Sequence, residues 1–244
     1  MEHRDRLWPG GYTFLYDDGL FRPSTDTFLL GAFPRLRRGM TVCELGAGTG
    51  LLSLLLLARE PELTVTGVEL QPQACALFRR TAEENGLQGR MHCLEGDLRQ
   101  GLLPPGRFRL AVANPPYFPP DAGAVAPDAA RRTARAETDC TLAQLCAAAA
   151  RALTWGGSFC LVHRSDRLAD VLEELRRAAL GPKRPRLVHG GGPTPAGSAG
   201  GPAGRGGGPP PGAAPSAAWP PRRGNRGRPP GGFLRQGGNE EGRE

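Results

Sequence analysis

The sequence predicts an α/β protein, a doubly wound and mostly parallel sheet with helices on both faces. Three observations predict it. From Thr41 to Leu180, short apolar runs alternate with segments of helical periodicity, the pattern of a parallel sheet built through crossover helices. The first run ends in a glycine-rich turn that opens a helix, "ELGAGTG" from Glu44 to Gly50. Acidic or amide residues then stand at the ends of the next three runs, where open sheets of this kind bind their ligands.

Each element follows in order. "STDTFLLGAF" sets Ser24, Thr25 and Asp26 ahead of an apolar run, an N-cap signature that leads into a helix. "TVCEL" reads as the first core strand and "LLSLLLLAR" as the helix behind the glycines. "LTVTGVEL" is the next strand, followed by the amphipathic helix "PQACALFRRTAEENG", with proline near its start and Gly86 just past its end. "RMHCLEGD" and "FRLAVANP" are two more strands. "LAQLCAAAARAL" is a helix expected to end at Trp155-Gly156-Gly157, "SFCLVHR" a strand, and "RLADVLEELRRAAL" a helix stopped by Gly181-Pro182. "PRLVH" is expected to be the region of a sixth strand.

At Gly190 the character of the chain changes. Glycine, proline and arginine dominate from there on, and the only large apolar residues are Trp219, Phe233 and Leu234. Such a segment cannot bury enough surface to offset its ordering entropy, so it is expected to be disordered. Its composition is also what an out-of-frame reading of a GC-rich gene produces. A frameshifted C-terminus is therefore the competing expectation.

Composition narrows the function classes. The 244 residues carry a net charge of +7, almost all of it from arginine, since Lys183 is the only lysine. That balance favours a polyanionic partner. The N-terminus lacks the apolar core of a signal peptide, and the longest apolar run, Leu51 to Ala58, is far below the roughly 20 residues of a membrane span. A soluble, cytoplasmic protein is expected. Cys43, Cys75, Cys93, Cys140, Cys146 and Cys160 form no C-x-x-C pair and read as free thiols, with no metal site. His92 and His163 read as structural.

The strand tips carry the functional signal. Gly46, Gly48 and Gly50 permit a tight turn and close approach of a ligand to the backbone, and the helix behind them offers free N–H groups. Glu69 ends the second strand, where doubly wound folds place a carboxylate that accepts from ribose hydroxyls. Asp97, after the third strand, is a short acid able to accept from an adenine amino group. Carboxylates crowded here would repel a pyrophosphate, so the set fits a cofactor with a free ribose and adenine. The fourth tip is "NPPY", Asn114 to Tyr117.

From Thr41 to His163 the chain resembles the class I S-adenosylmethionine-dependent methyltransferases, whose Rossmann-like domain carries "ELGAGTG" as its cofactor loop. The resemblance implies S-adenosyl-L-methionine as cofactor. Glu44, Gly46, Gly48 and Gly50 would surround its methionine part, Glu69 would hold the ribose and Asp97 the adenine. In amino-methylating members, "NPPY" receives the nitrogen to be methylated. An exocyclic purine amine is a poor nucleophile because its lone pair is delocalised into the ring. The Asn114 side-chain oxygen and the Pro115 carbonyl can each accept one N–H, which turns the nitrogen towards tetrahedral geometry. Pro115 and Pro116 stiffen the backbone that presents them. Tyr117 offers a stacking face for a flipped base.

With "STDTFLLGAF" before the domain and "RRTARAE" from Arg131 to Glu137 after "NPPYF", the chain looks like the bacterial enzymes that methylate adenine N6 beside the anticodon of valine tRNA. By that resemblance Thr25 and Asp26 lie near the cofactor, and Arg131, Arg132 and Arg135 near the RNA backbone. A monomer acting on RNA, with tRNA as substrate, is the expectation. The implied layout is a closing segment over residues 1–38, a methyltransferase domain over 39–189 whose C-terminal hairpin is incomplete or replaced, and the tail over 190–244. Four alternatives share the motifs: a protein glutamine-N5 methyltransferase, a ribosomal-RNA guanine-N2 methyltransferase, a DNA adenine methyltransferase, and a homologue that binds the cofactor without catalysing.

Overall fold

Strand formation starts from the apolar runs, and five of them pair into one parallel sheet. The computed structural model of the protein describes residues 1–20, 23–115 and 140–188. The sheet contains β3 (Thr41–Leu45), β4 (Thr64–Glu69), β5 (Met91–Glu95), β6 (Phe108–Ala113) and β7 (Leu153–Leu161), in the spatial order β5-β4-β3-β6-β7. The chain moves outward from β3 through β4 to β5, then returns to lay β6 against the other side of β3. That reversal puts the topological switch point, and hence the ligand crevice of an open sheet, between β3 and β6.

Helix α2 (Leu51–Arg59) is apolar all round, and Leu51 through Leu57 are buried. A helix of that kind must be covered on both sides. The sheet covers one side, and α1 (Thr25–Ala32) packs across the other, with Gly31 so close that an added Cβ would lie 2.9 Å from Leu55 Cβ. Helix α3 (Pro72–Glu84) is amphipathic, and Phe78, Cys75, Leu77 and Ala82 fill its inner face. Helix α4 (Leu142–Ala152) opens on a capping box, in which the Thr141 side chain accepts from the Gln144 backbone N–H and Gln144 accepts from that of Thr141.

The structure departs from the sequence expectation in three places. First, the N-terminal residues form an antiparallel hairpin of β1 (Glu2–Arg6) and β2 (Thr13–Asp17) ahead of α1. Asn85 fastens it to the end of α3, accepting from Thr13 N–H at 2.8 Å and donating to the Thr13 carbonyl at 2.7 Å. Second, Trp155-Gly156-Gly157 does not end the preceding helix. It lies inside β7, where the register jumps from Phe108↔Leu153 to Leu110↔Ser158, and the left-handed backbone of Gly156 (φ 74°) makes the bulge. Third, residues 185–188 form no strand, and Leu187 and Val188 are exposed. The last described helix, α5 (Leu168–Arg177), buries Val171 alone. The tail from Gly190 lies outside the described residues.

Among the described residues no helix is long and apolar enough to cross a membrane. No cluster of metal-ligating side chains is found there either.

Candidate active site

Parallel pairing sets the strand tips in register. Leu45 of β3 is opposite Val68 of β4 on one side and Ala113 of β6 on the other. The next residues along these three strands, Glu69, Gly46 and Asn114, therefore form one row across the carboxyl end of the sheet. With neighbouring strands about 4.8 Å apart, the row is narrow enough for one ligand to touch all three.

The turn after β3 is built by backbone bonds to its neighbour. Gly46 and Ala47 N–H both donate to the Val68 carbonyl at 3.0 Å. Glu69, only 7% exposed, accepts from Gly48 N–H through Oε2 at 2.7 Å and from Gln71 N–H through Oε1 at 2.8 Å. Its carboxylate is thus held in place, and each oxygen retains a further lone pair for a ligand hydroxyl.

The three glycines divide into two roles. Gly46 and Gly48 have φ of 73° and 52°, and among the described residues a Cβ on either would find no atom within 4 Å. They form an open crest over which a ligand can approach the backbone. Gly50 instead faces the core. Its φ is 90°, and an added Cβ would stand 2.5 Å from Met91 Cε and 2.8 Å from Phe78 Cδ2. The glycine there serves packing.

Two acids near this turn meet opposite environments. Glu44 is 3% exposed, and burial, with a smaller push from neighbouring Glu69, raises its carboxyl to about 8 despite a 2.5 Å hydrogen bond from Ser53 Oγ. It is a neutral acid below that pH. Asp97 caps the short 3-10 turn Leu98–Gln100, accepting from Arg99 N–H, and its carboxylate lies against the Arg99 guanidinium at 2.5 to 2.9 Å. Those bonds hold it below the usual carboxylate range. Arg99 already occupies the acceptor positions that the sequence reading reserves for adenine.

At the fourth tip, Asn114 and Pro115 are half-buried as the chain leaves β6. The Asn114 side-chain nitrogen donates to Thr27 Oγ1 of α1 at 2.9 Å, across 87 residues of sequence. Thr25 and Asp26, singled out by the sequence, are exposed and half-buried, whereas Thr27 is buried. Sequence reasoning missed Thr27, although helical spacing carries the signal: Thr27, Leu30 and Gly31 share the inner face of α1. Pro116, Tyr117, Arg131, Arg132 and Arg135 lie outside the described residues.

Comparison with known proteins shows the family. Residues 21–178 match the family model described as the methyltransferase small domain. The tRNA1(Val) (adenine(37)-N6)-methyltransferase of Yersinia enterocolitica is 32% identical over 187 residues, covering 74% of this chain and 72% of the relative. The enzyme of the same name from Yersinia pestis is 33% identical over 160 residues, and the chain spans 64% of its length. Among solved structures, a predicted O-methyltransferase from Agrobacterium tumefaciens shares the fold, with TM-score 0.50 and 20% identity over 68% of this chain and 70% of that one.

Proposed function

The chain belongs to the methyltransferase small domain family, and we propose that it moves a methyl group from S-adenosylmethionine to N6 of an adenine in RNA. The observation that carries the reading is the row Glu69, Gly46, Asn114, which sets a ribose acceptor, an open backbone crest and an amine acceptor on adjoining strands. The names of the relatives support tRNA as the RNA and adenine as the base. A cytoplasmic monomer, with residues 39–189 as the catalytic domain, goes with that reading.

The residues suit this cofactor. The open space at Gly46 and Gly48 admits its methionine portion, and the fixed Glu69 carboxylate accepts from its ribose hydroxyls. Glu44 ties β3 to α2 through Ser53, joining the two elements that flank the turn. Asp97 reaches the adenine amine only by sharing its oxygens with Arg99. When bound, S-adenosylmethionine would supply a methyl group on a positive sulfonium, from which sulfur departs as a neutral thioether as the N–C bond forms.

The protein's task is then orientation, which can supply roughly 7 to 11 kcal/mol of the barrier. Asn114 Oδ1 and the Pro115 carbonyl accept the two N–H bonds of the target amine and aim its lone pair at the methyl. The surplus amine proton of the methylated nitrogen would pass to water. A general base is not needed for the transfer itself. Pro116 stiffens the acceptor turn, Tyr117 stacks on the base, and Arg131, Arg132 and Arg135 neutralise RNA phosphates. Thr25 and Asp26 border the cofactor side.

The test is mass spectrometry of nucleosides from unmodified tRNA after incubation with protein and cofactor. N6-methyladenosine is the expected product. N2-methylguanosine, or methylation of a release-factor glutamine in a parallel reaction, would redirect the acceptor assignment while leaving the transfer chemistry in place.

A further inference from the structure

The buried hydroxyl of Thr27 has a consequence for the amine acceptor. A carboxamide presents an oxygen on one branch and an NH2 on the other, and only the oxygen can accept from a target amine. Flipped by 180°, Asn114 would meet the incoming amine with donors of its own. Something must therefore select the orientation, and Pro115 acts on the backbone, not on this side chain.

Thr27 stands at the third position of α1 and is 5% exposed, the only buried polar side chain of that helix. Its Oγ1 is 2.9 Å from Asn114 Nδ2 and 3.2 Å from Ser24 Oγ. Ser24 holds the N-cap position, yet its hydroxyl makes no cap bond to a backbone N–H. A threonine hydroxyl has one proton and two lone pairs. Either hydroxyl of the Ser24–Thr27 pair can donate; the bond from Asn114 Nδ2 uses a Thr27 lone pair, which leaves the Thr27 proton for Ser24 and matches the NH2 branch, not the oxygen branch, to Thr27. The oxygen branch is then turned away from α1.

Resting on the methyl-transfer reading above, we propose that Thr27, supported by Ser24, is a positioning residue that selects the acceptor orientation of the Asn114 carboxamide. Helix α1 thereby contributes to the chemistry without touching the reacting atoms. The arrangement also explains why the segment ahead of the domain ends in a helix packed on α2: it brings one hydroxyl to the tip of β6.

Three variants test this with single-turnover transfer to unmodified tRNA, cofactor affinity by calorimetry, and a thermal melt. Thr27→Val removes the hydroxyl at constant shape. It should slow the transfer about tenfold, the size of one lost orienting hydrogen bond, while cofactor affinity and tRNA KM stay within about twofold. Thr27→Ser, which keeps the hydroxyl, should return the rate to within about twofold of wild type. Ser24→Ala frees the Thr27 proton and should cost about threefold. If Thr27→Val does not melt cooperatively, the Ser24→Ala rate decides.

Two results overturn the assignment in an active protein. One is an unchanged rate in Thr27→Val, or in Ser24→Ala where that variant decides. The other is an equal loss in Thr27→Val and Thr27→Ser. Absence of any transfer by the wild-type protein overturns the methyl-transfer reading and this assignment with it.

Discussion

On the β4 side of the molecule, Leu54, Leu56, Leu57 and Phe78 are wholly buried, and the turn after β3 is tied to β4 by two backbone bonds and a carboxylate. On the β7 side, α5 buries one valine, β7 bulges at Gly156, and Trp155 is 100% exposed. Among the described residues, one sheet thus carries a densely packed half and a sparsely packed half, with β3 and β6 between them. The difference matches the two tasks of the proposed reaction. A small cofactor needs a preformed site, because every group it must order on binding costs affinity. An RNA brings its own extended surface, and contacts made outside the cleft can help to hold it.

If that contrast is real, changes on the packed side should be costly and changes on the open side cheap. The largest effect is expected at Gly50. Gly50→Ala combines a strained left-handed backbone with a collision against Met91 and Phe78, and should destabilise by roughly 2 to 5 kcal/mol in chemical denaturation. A near-neutral result would mean that the β3 turn is soft and the contrast misplaced.

The next effect is a pH dependence. Glu44 has its folded value raised from 4.5 to about 8 by burial, so between those values the folded state keeps a proton that the unfolded state releases. Its contribution to stability is complete below about 4.5 and is lost as pH rises through about 8. Glu44→Gln removes the titration and should flatten the decline over that window. A stability profile with the same slope in both proteins would show that Glu44 is not the group responsible. The smallest effect belongs to the open half, where Trp155→Ser should change stability by no more than about 0.5 kcal/mol. A larger loss would mean that the β7 half is not the loosely packed one.

The sheet was legible in the sequence because its strands are apolar runs ended by residues with chemistry, and Leu45, Glu69, Glu95 and Ala113 do close β3, β4, β5 and β6. The glycine turn was legible as a motif but not in its parts. Only the surroundings distinguish Gly50, wedged between Met91 and Phe78, from Gly46 and Gly48, which face open space. The hairpin of β1 and β2 was missed because "EHRDR" has no apolar alternation, and its strand conformation depends on pairing with "TFLYD" and on Asn85. Trp8-Pro9-Gly10-Gly11 was the available turn signal. The bulge in β7 was misread as a helix stop for a related reason: glycine marks both breaks and bulges, and local sequence does not tell which. Helical spacing marks Thr27 only as facing inward; its pairing with Asn114, 87 residues away, leaves no periodic trace.

The central claim is that the tip of β6 presents an amine acceptor beside a methyl-donor site. Transfer from labelled S-adenosylmethionine to unmodified tRNA, measured for wild type and Asn114→Ala alongside calorimetric cofactor binding, tests it most directly. The account predicts N6-methyladenosine from wild type, and turnover reduced by at least about a hundredfold in the variant with cofactor affinity largely unchanged. An Asn114→Ala protein that methylates at the wild-type rate would contradict it.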